Sequence, residues 1–158
     1  MTYKKYTSDS PHTYAFGFYP SLEALEYIPQ HCTAVIYNSG AHKSEALGKI
    51  RHRCLAHHIP FIQDDKTMSR LAPSENTFVI TVIQKYQMPL ATTENHLVLV
   101  SPSDMGNLGT IFRTALGFDM HHIALIQPCA DEHDPRVVRA SMGAIFRLHI
   151  QKFATFGA

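Results

Sequence analysis

At 158 residues the chain can form one domain or two small ones, and its 45% apolar content supports a real core and excludes wholesale disorder. A formal charge of +1 excludes a general polyanion binder, so any grip on nucleic acid has to come from a local patch. No signal peptide or bilayer-length apolar run is present, and Cys32, Cys54 and Cys129 lack C-x-x-C spacing; we therefore expect reduced thiols, no zinc site from them, and a soluble, cytoplasmic protein without membrane contact.

Met1 to Pro11 is polar and is expected to be mobile at its start. Tyr14 to Tyr19 (YAFGFY) is an aromatic run broken by Gly17 and stopped by Pro20. It fits a buried strand or a partner-contacting loop, with core the favoured reading because aromatics bury far more often than they stack on bases. Ser21 reads as the N-cap of a helix that Pro29 ends after Ile28. Thr33 to Tyr37 reads as a strand and Asn38-Ser39-Gly40 as a turn. A helix from Ser44 to His57 would turn Ala46, Leu47, Ile50, Cys54 and Leu55 inward. Its outer side would carry Lys43, Lys49, Arg51, His52, Arg53 and His57, a pattern that usually means a solvated basic face. Ile59 to Gln63 is a short strand, Asp64 or Asp65 caps a helix through Met68 and Leu71, and Phe78 to Ile83 should be a central strand. This half is expected to form a small three-layer α/β unit, residues 1–88. Polar Tyr86 to Asn95 marks a boundary, and a second domain follows over residues 92–158.

In that second half Leu97 to Val100 is a strand stopped before Pro102, and Ser101, Ser103, Asp104, Gly106, Asn107 and Gly109 offer turn chemistry. Beyond the turn the period changes to that of a helix. Leu108, Ile111, Phe112, Ala115 and Leu116 wind onto a buried side, and Asn107, Thr110, Arg113, Thr114 and Gly117 onto the opposite one. One arginine thus stands on a small polar face near a helix start, which suits a phosphate or a sugar hydroxyl. On the residues alone an ordinary crossover fits as well, and neither G-x-G-x-x-G nor G-x-x-x-x-G-K-[ST] is present. His122 to Gln127 is a further strand. The loop after it, Cys129 to Asp134, is rich in possible metal ligands, but neighbours on one loop rarely converge and no metal is expected. Asp134 with Pro135 should start a helix running to Phe146. It would turn Val137, Val138, Ser141, Met142 and Ile145 to one side and Arg136, Arg139, Gly143 and Arg147 to the other. Gly143 inside a helix implies close packing on a strand or close approach of a ligand or a partner backbone.

The stretch DMGNLGTIFRTALGF resembles the first signature motif of the SpoU/TrmH-type RNA ribose methyltransferases of the SPOUT superfamily, through Asn107, Gly109 and Arg113. Asp134 to Phe146 (DPRVVRASMGAIF) is similar to the segment these enzymes carry after their second strand, in the same order and spacing. The resemblance implies an α/β protein in which a ribosomal-protein-like RNA-binding domain precedes a parallel-sheet domain of the knotted SPOUT type. It implies methyl transfer from S-adenosylmethionine to a ribose 2′-hydroxyl of rRNA or tRNA, with DNA excluded as a partner and a homodimer as the complete enzyme. Arg113 would contact the RNA phosphate and help activate the hydroxyl, and Asn107 would support the loop and the substrate. Thr110, Thr114, Arg136 and Arg139 become candidate RNA contacts, as do Lys49 and Arg53 of the basic helix. The family's later G-N-E-type and S-L-N-type segments, which thread the knot and build the cofactor pocket, are not found before Ala158. The expectation from this is a partial SPOUT domain, inactive alone, that binds S-adenosylmethionine weakly or not at all through residues that stay unassigned. Two rivals remain. One is a non-catalytic RNA-binding module, and the other a nucleotide-binding α/β domain using the GNLGT loop, which lacks its lysine or acidic partner.

Overall fold

The structure, a computed structural model, describes residues 2–41 and 44–158 and divides into two compact units, Met1–Lys85 and Tyr86–Ala158. Unit 1 carries a mixed sheet of β1 (His12–Phe16), β2 (Cys32–Tyr37), β3 (Phe61–Gln63) and β4 (Val79–Gln84) in the order β1-β4-β2-β3. The FVITVI run forms the interior strand β4, antiparallel to both β1 and β2, while β3 lies parallel to β2. Alternation buries both faces of this sheet. Tyr14, Ala34, Ile36, Ile80 and Val82 pack with Met68 and Leu71 of α3 (Asp65–Leu71). Ala15, Thr81 and Ile83 point the other way, where α1 (Phe18–Tyr27) meets β1 and β4 and α2 (Glu45–Ala56) packs on α1. Helices on both faces make the expected three layers.

Several local expectations are corrected. The helix α1 begins at Phe18, not after Ser21. Pro20 falls in its first turn, where a missing N–H costs no bond, and Gly17 supplies the entry at φ 99°. Ser21 is consequently a buried helix residue instead of a cap. Leu55 is 67% exposed because α2 buries only the stripe of Ile50 and Cys54. The N-terminal stretch is anchored: Tyr3 and Tyr6 pack against the core, and the Tyr14 hydroxyl donates to the Lys4 carbonyl at 2.6 Å. Lys43 of the predicted basic face lies outside the described residues. Burial pushes the Cys32 thiol up to about 12 and that of Cys54 to about 11, so these two are inert at neutral pH.

Unit 2 is built of two parallel crossovers: β5 (His96–Val100), α4 (Met105–Gly117), β6 (His122–Ile126), α5 (Pro135–Ala140) and β7 (His149–Phe153), with strand order β5-β6-β7. Right-handed connections to successive neighbours put both helices on one side of the sheet. Leu97, Leu99, Ile123, Leu125 and Ile150 face that side; Val98, Val100, Ala124, Ile126 and Phe153 face away, and Val98 and Val100 are exposed. The lead-in that reads as a boundary packs on this unit, since the Leu90 N–H donates to Gln151 Oε1 at 3.2 Å. Strand β7 is absent from the predicted elements.

Both helices differ from expectation at one end. Asp104 caps α4 by accepting from the Asn107 N–H at 2.7 Å, so Gly106, Asn107 and Gly109 lie inside the helix and not in a turn before it. The expected long helix from Pro135 stops at Ala140, because Met142 (φ 53°) and Gly143 (φ 80°) are left-handed; a 3-10 turn, Ala144–Arg147, follows. Gly143 is thus a terminator, and Met142 is 46% exposed instead of facing inward.

The seam between α4 and α5 closes at Gly109. A Cβ there would lie 2.5 Å from Ala140 Cβ, 2.7 Å from the Val137 carbonyl oxygen and 2.8 Å from the Ser141 nitrogen. Gly109→Ala should therefore lower the stability of unit 2 by about 1–3 kcal/mol despite the gain in helix propensity. Gly48→Ala, with open space around it on α2, should raise stability by up to about 1 kcal/mol. Urea unfolding of the two variants checks both signs.

Candidate functional site

The candidate residues of α4 emerge as a polar strip because Leu108, Phe112 and Ala115 are drawn inward. Ile111 and Leu116, expected to be buried, are half-buried at the margins. Asn107, Thr110, Arg113 and Thr114 are all exposed. The Thr110 hydroxyl donates to the Gly106 carbonyl at 2.8 Å, which leaves its lone pairs outward. Among the described residues no carboxylate pairs with Arg113, and none pairs with the exposed Arg139 of α5.

The remaining candidate cations are engaged. Arg136 holds Asp134 with two bonds of 3.0 Å, while Asp134 also accepts from the Arg136 N–H as the cap of α5. That pairing raises the Arg136 pKa further above its ordinary range through its hydrogen bond to Asp134. Lys49 pairs with Glu45 one turn back at 2.8 Å. Arg53 donates to the Leu22 carbonyl at 2.8 Å and pairs with Glu26 at 2.9 Å, which ties α2 to α1. An exposed pair of the Lys49 type is worth little and yields readily to a phosphate, whereas Arg53 has a structural task. The structure thus brings Asn107, Thr110, Arg113 and Thr114 together on α4, with Arg139 on the helix packed against it, and places Lys49 and Arg53 in the other unit.

The loop after β6 corrects the expectation that its ligand-type residues do not converge. Side-chain atoms of Asp131, Glu132 and His133 lie within 4.8 Å of one another. An ammonium meets them: Lys152 Nζ is 2.6 Å from Glu132 Oε2 and 4.0 Å from Asp131 Oδ1. Burial alone would lower the Lys152 pKa, but the bond to Glu132 and the charges of Glu132 and Asp131 raise it, so the lysine stays charged. It anchors the loop that leads into α5. Sequence reasoning missed Lys152 because it missed β7.

Neither larger cavity is built from the candidate residues. A 340 Å³ groove over the uncovered side of the unit 2 sheet is walled by His96, Val98, Ala124, Ile126, Phe153 and Phe156, without Asn107 or Arg113. In unit 1 a polar cavity of 520 Å³ between Asn38, Asp65, Ser69, Glu75 and Thr77 excludes Lys49 and Arg53.

Known proteins resemble this chain in sequence and in fold. Residues 94–158 match the model of the SpoU rRNA Methylase family. The matched residues hold the whole α4 strip together with the Lys152 cluster. The human rRNA methyltransferase 3, mitochondrial, is 49% identical over 47 residues, 30% of this chain and 11% of that protein. Its Xenopus tropicalis counterpart is 40% identical over 70 residues, covering 44% and 16%. An rRNA methyltransferase from Sinorhizobium meliloti superposes with a TM-score of 0.75 at 22% identity, over 92% of this chain and 56% of that one. The SpoU methyltransferase AviRb from Streptomyces viridochromogenes gives 0.74 at 19%, over 93% and 55%. These likenesses establish a SpoU methyltransferase fold; the chain spans about half the length of the solved relatives and a smaller share of the curated ones. S-adenosylmethionine is the family's cofactor and is bound in structures of both the Sinorhizobium and the Streptomyces proteins.

The Lys152 cluster carries a stability prediction. Glu132 is 5% exposed, so Lys152→Met strands a buried carboxylate and should cost about 3 kcal/mol in unfolding free energy. Adding Glu132→Gln to that variant should recover part of the loss, which chemical denaturation of the single and double variants measures.

Proposed function

We propose that this chain supplies the RNA grip of a ribose 2′-O-methyltransferase acting on rRNA or tRNA. The observation that carries the reading is Arg113, exposed on α4 without a carboxylate partner while Arg136 and Arg53 are tied down. A guanidinium stays protonated at any ordinary pH and offers five donors in a fixed fork, so Arg113 holds a phosphate and orients the ribose. Asn107, Thr110 and Thr114 add neutral donors and acceptors to the same strip, which suits a sugar edge. Arg139 extends the positive charge along α5, and Lys49 can exchange Glu45 for a phosphate.

S-adenosylmethionine supplies the methyl group in this family. The 340 Å³ and 520 Å³ cavities are lined without Arg113, and the share of the reaction that the α4 strip can take is binding and orientation of RNA. The same observation favours a second reading, a non-catalytic RNA-binding module. Incubation with labelled S-adenosylmethionine and rRNA or tRNA separates the two: label in the ribose supports an enzyme, and RNA binding without label supports the module. The homodimer expected of the complete enzyme is tested by light scattering with and without RNA.

In fluorescence anisotropy with a short rRNA hairpin, Arg113→Ala should weaken binding and lower the slope of log K against log salt by about 1. Arg136→Ala should change the slope far less. Equal slopes for Arg113→Ala and the unmodified chain would remove Arg113 from the interface.

A further inference from the structure

The three strands of the unit 2 sheet each begin with a histidine, and the register places the three side by side: His96 opposite His122, and His122 opposite His149. The His122 and His149 rings stack with centroids 4.5 Å apart and planes 26° apart, and His96 lies 5.9 Å from His122. All three bond the backbone of the lead-in segment. His149 Nδ1 is 3.1 Å from the Pro89 carbonyl oxygen and His96 Nε2 is 2.7 Å from that of Ala91, so each of these nitrogens carries the proton. The central ring is used the opposite way. The Ala91 N–H donates to His122 Nδ1 at 3.3 Å, which requires an unprotonated Nδ1.

We propose that His96, His122 and His149 form an acid-labile latch holding Pro89–Ala91 on the N-terminal edge of the sheet. A doubly protonated imidazole has two N–H groups and no acceptor, so a proton on His122 abolishes the bond to Ala91. The outer rings keep their bonds as cations, but their charges then face a third charge on a ring that is 8% exposed. The charged or titratable groups around His122 are His149 on β7, His96 on β5, Glu94 in the lead-in and the adjacent His121. Burial lowers the His122 pKa first, then His149; Glu94 opposes them, and His96 and His121 add to the lowering. The sign follows from linkage. The closed form binds the proton less readily than the open one, so closure is complete above the ordinary value of 6.5 and weakens as pH falls towards the lowered one.

Amide hydrogen exchange on the full chain tests the latch. Corrected for intrinsic rates, protection of the Ala91 amide should fall about tenfold from about pH 7.5 to about pH 5.5, with the β6 amides of Ile123 and Leu125 unchanged. In His122→Asn the amide oxygen replaces Nδ1 as a non-titrating acceptor, and Ala91 protection should become flat with pH. A flat profile in the unmodified chain, or an unaltered profile in His122→Asn, overturns the proposal. Should the variant not fold, titration of the His122 ring in the unmodified chain decides: a pKa below 6.5 supports the latch, and one at or above it overturns it.

Discussion

Everything in unit 2 turns on the absence of one carbon atom. At Gly109 the backbone of α4 touches α5 so closely that a Cβ would overlap Ala140 and two backbone atoms. That contact fixes the rotation of α4 about its own axis. With Gly109 held against α5, the geometry of about 100° per residue turns Leu108, Phe112 and Ala115 into the core. Arg113 comes one turn later and about 40° further round, so it leaves the helix beside the α4–α5 seam and not on a remote face. The glycine that looks like part of a phosphate-cradling loop serves instead to aim an arginine.

Much of this was legible in the sequence, for reasons that can be separated. Helix faces can be read because a 3.6-residue period survives small errors at the ends, so the exposed strip of α4 is legible even though the residues of its first turn have turn chemistry. The aspartate caps at residues 64 and 134 could be read because the chemistry of a cap is local. Helix ends were misread where a residue has two uses. Pro20 stops a helix interior but is at ease in a first turn, and Gly143 can sit in a helix or end one. Strand β7 went unseen because its two half-exposed polar residues, Gln151 and Lys152, hide the alternation. Which cations are free was legible only for local pairs. Lys49 with Glu45 follows from spacing, while Arg53 with Glu26 joins two helices that only the fold brings together.

The two ends of the unit 2 sheet carry different chemistry. Parallel strands send their connections out from the C-terminal edge, and there the Lys152 ammonium fixes the loop into α5 against two carboxylates. The N-terminal edge carries the imidazole row and the lead-in segment. A charge change on His122 therefore acts on the attachment of the incoming chain, at the edge opposite the Lys152 cluster.

Near-neutral composition then limits how this chain would hold the RNA that the proposed function assigns to it. Affinity for a polyanion comes mainly from the phosphates neutralised, and a formal charge of +1 leaves no surplus to spread over the surface. Simple counting of basic residues overstates the grip, because Arg136 and Arg53 already hold carboxylates and would have to abandon them. Arg113 and Arg139 face no such competition, so their charge reaches a ligand undiminished. A binder with few free cations has weak attraction for an arbitrary strand and depends on fit. Under the proposed function, the neutral strip of Asn107, Thr110 and Thr114 beside Arg113 is where such a fit would be read, against the sugar edge of a nucleotide whose phosphate the arginine would hold.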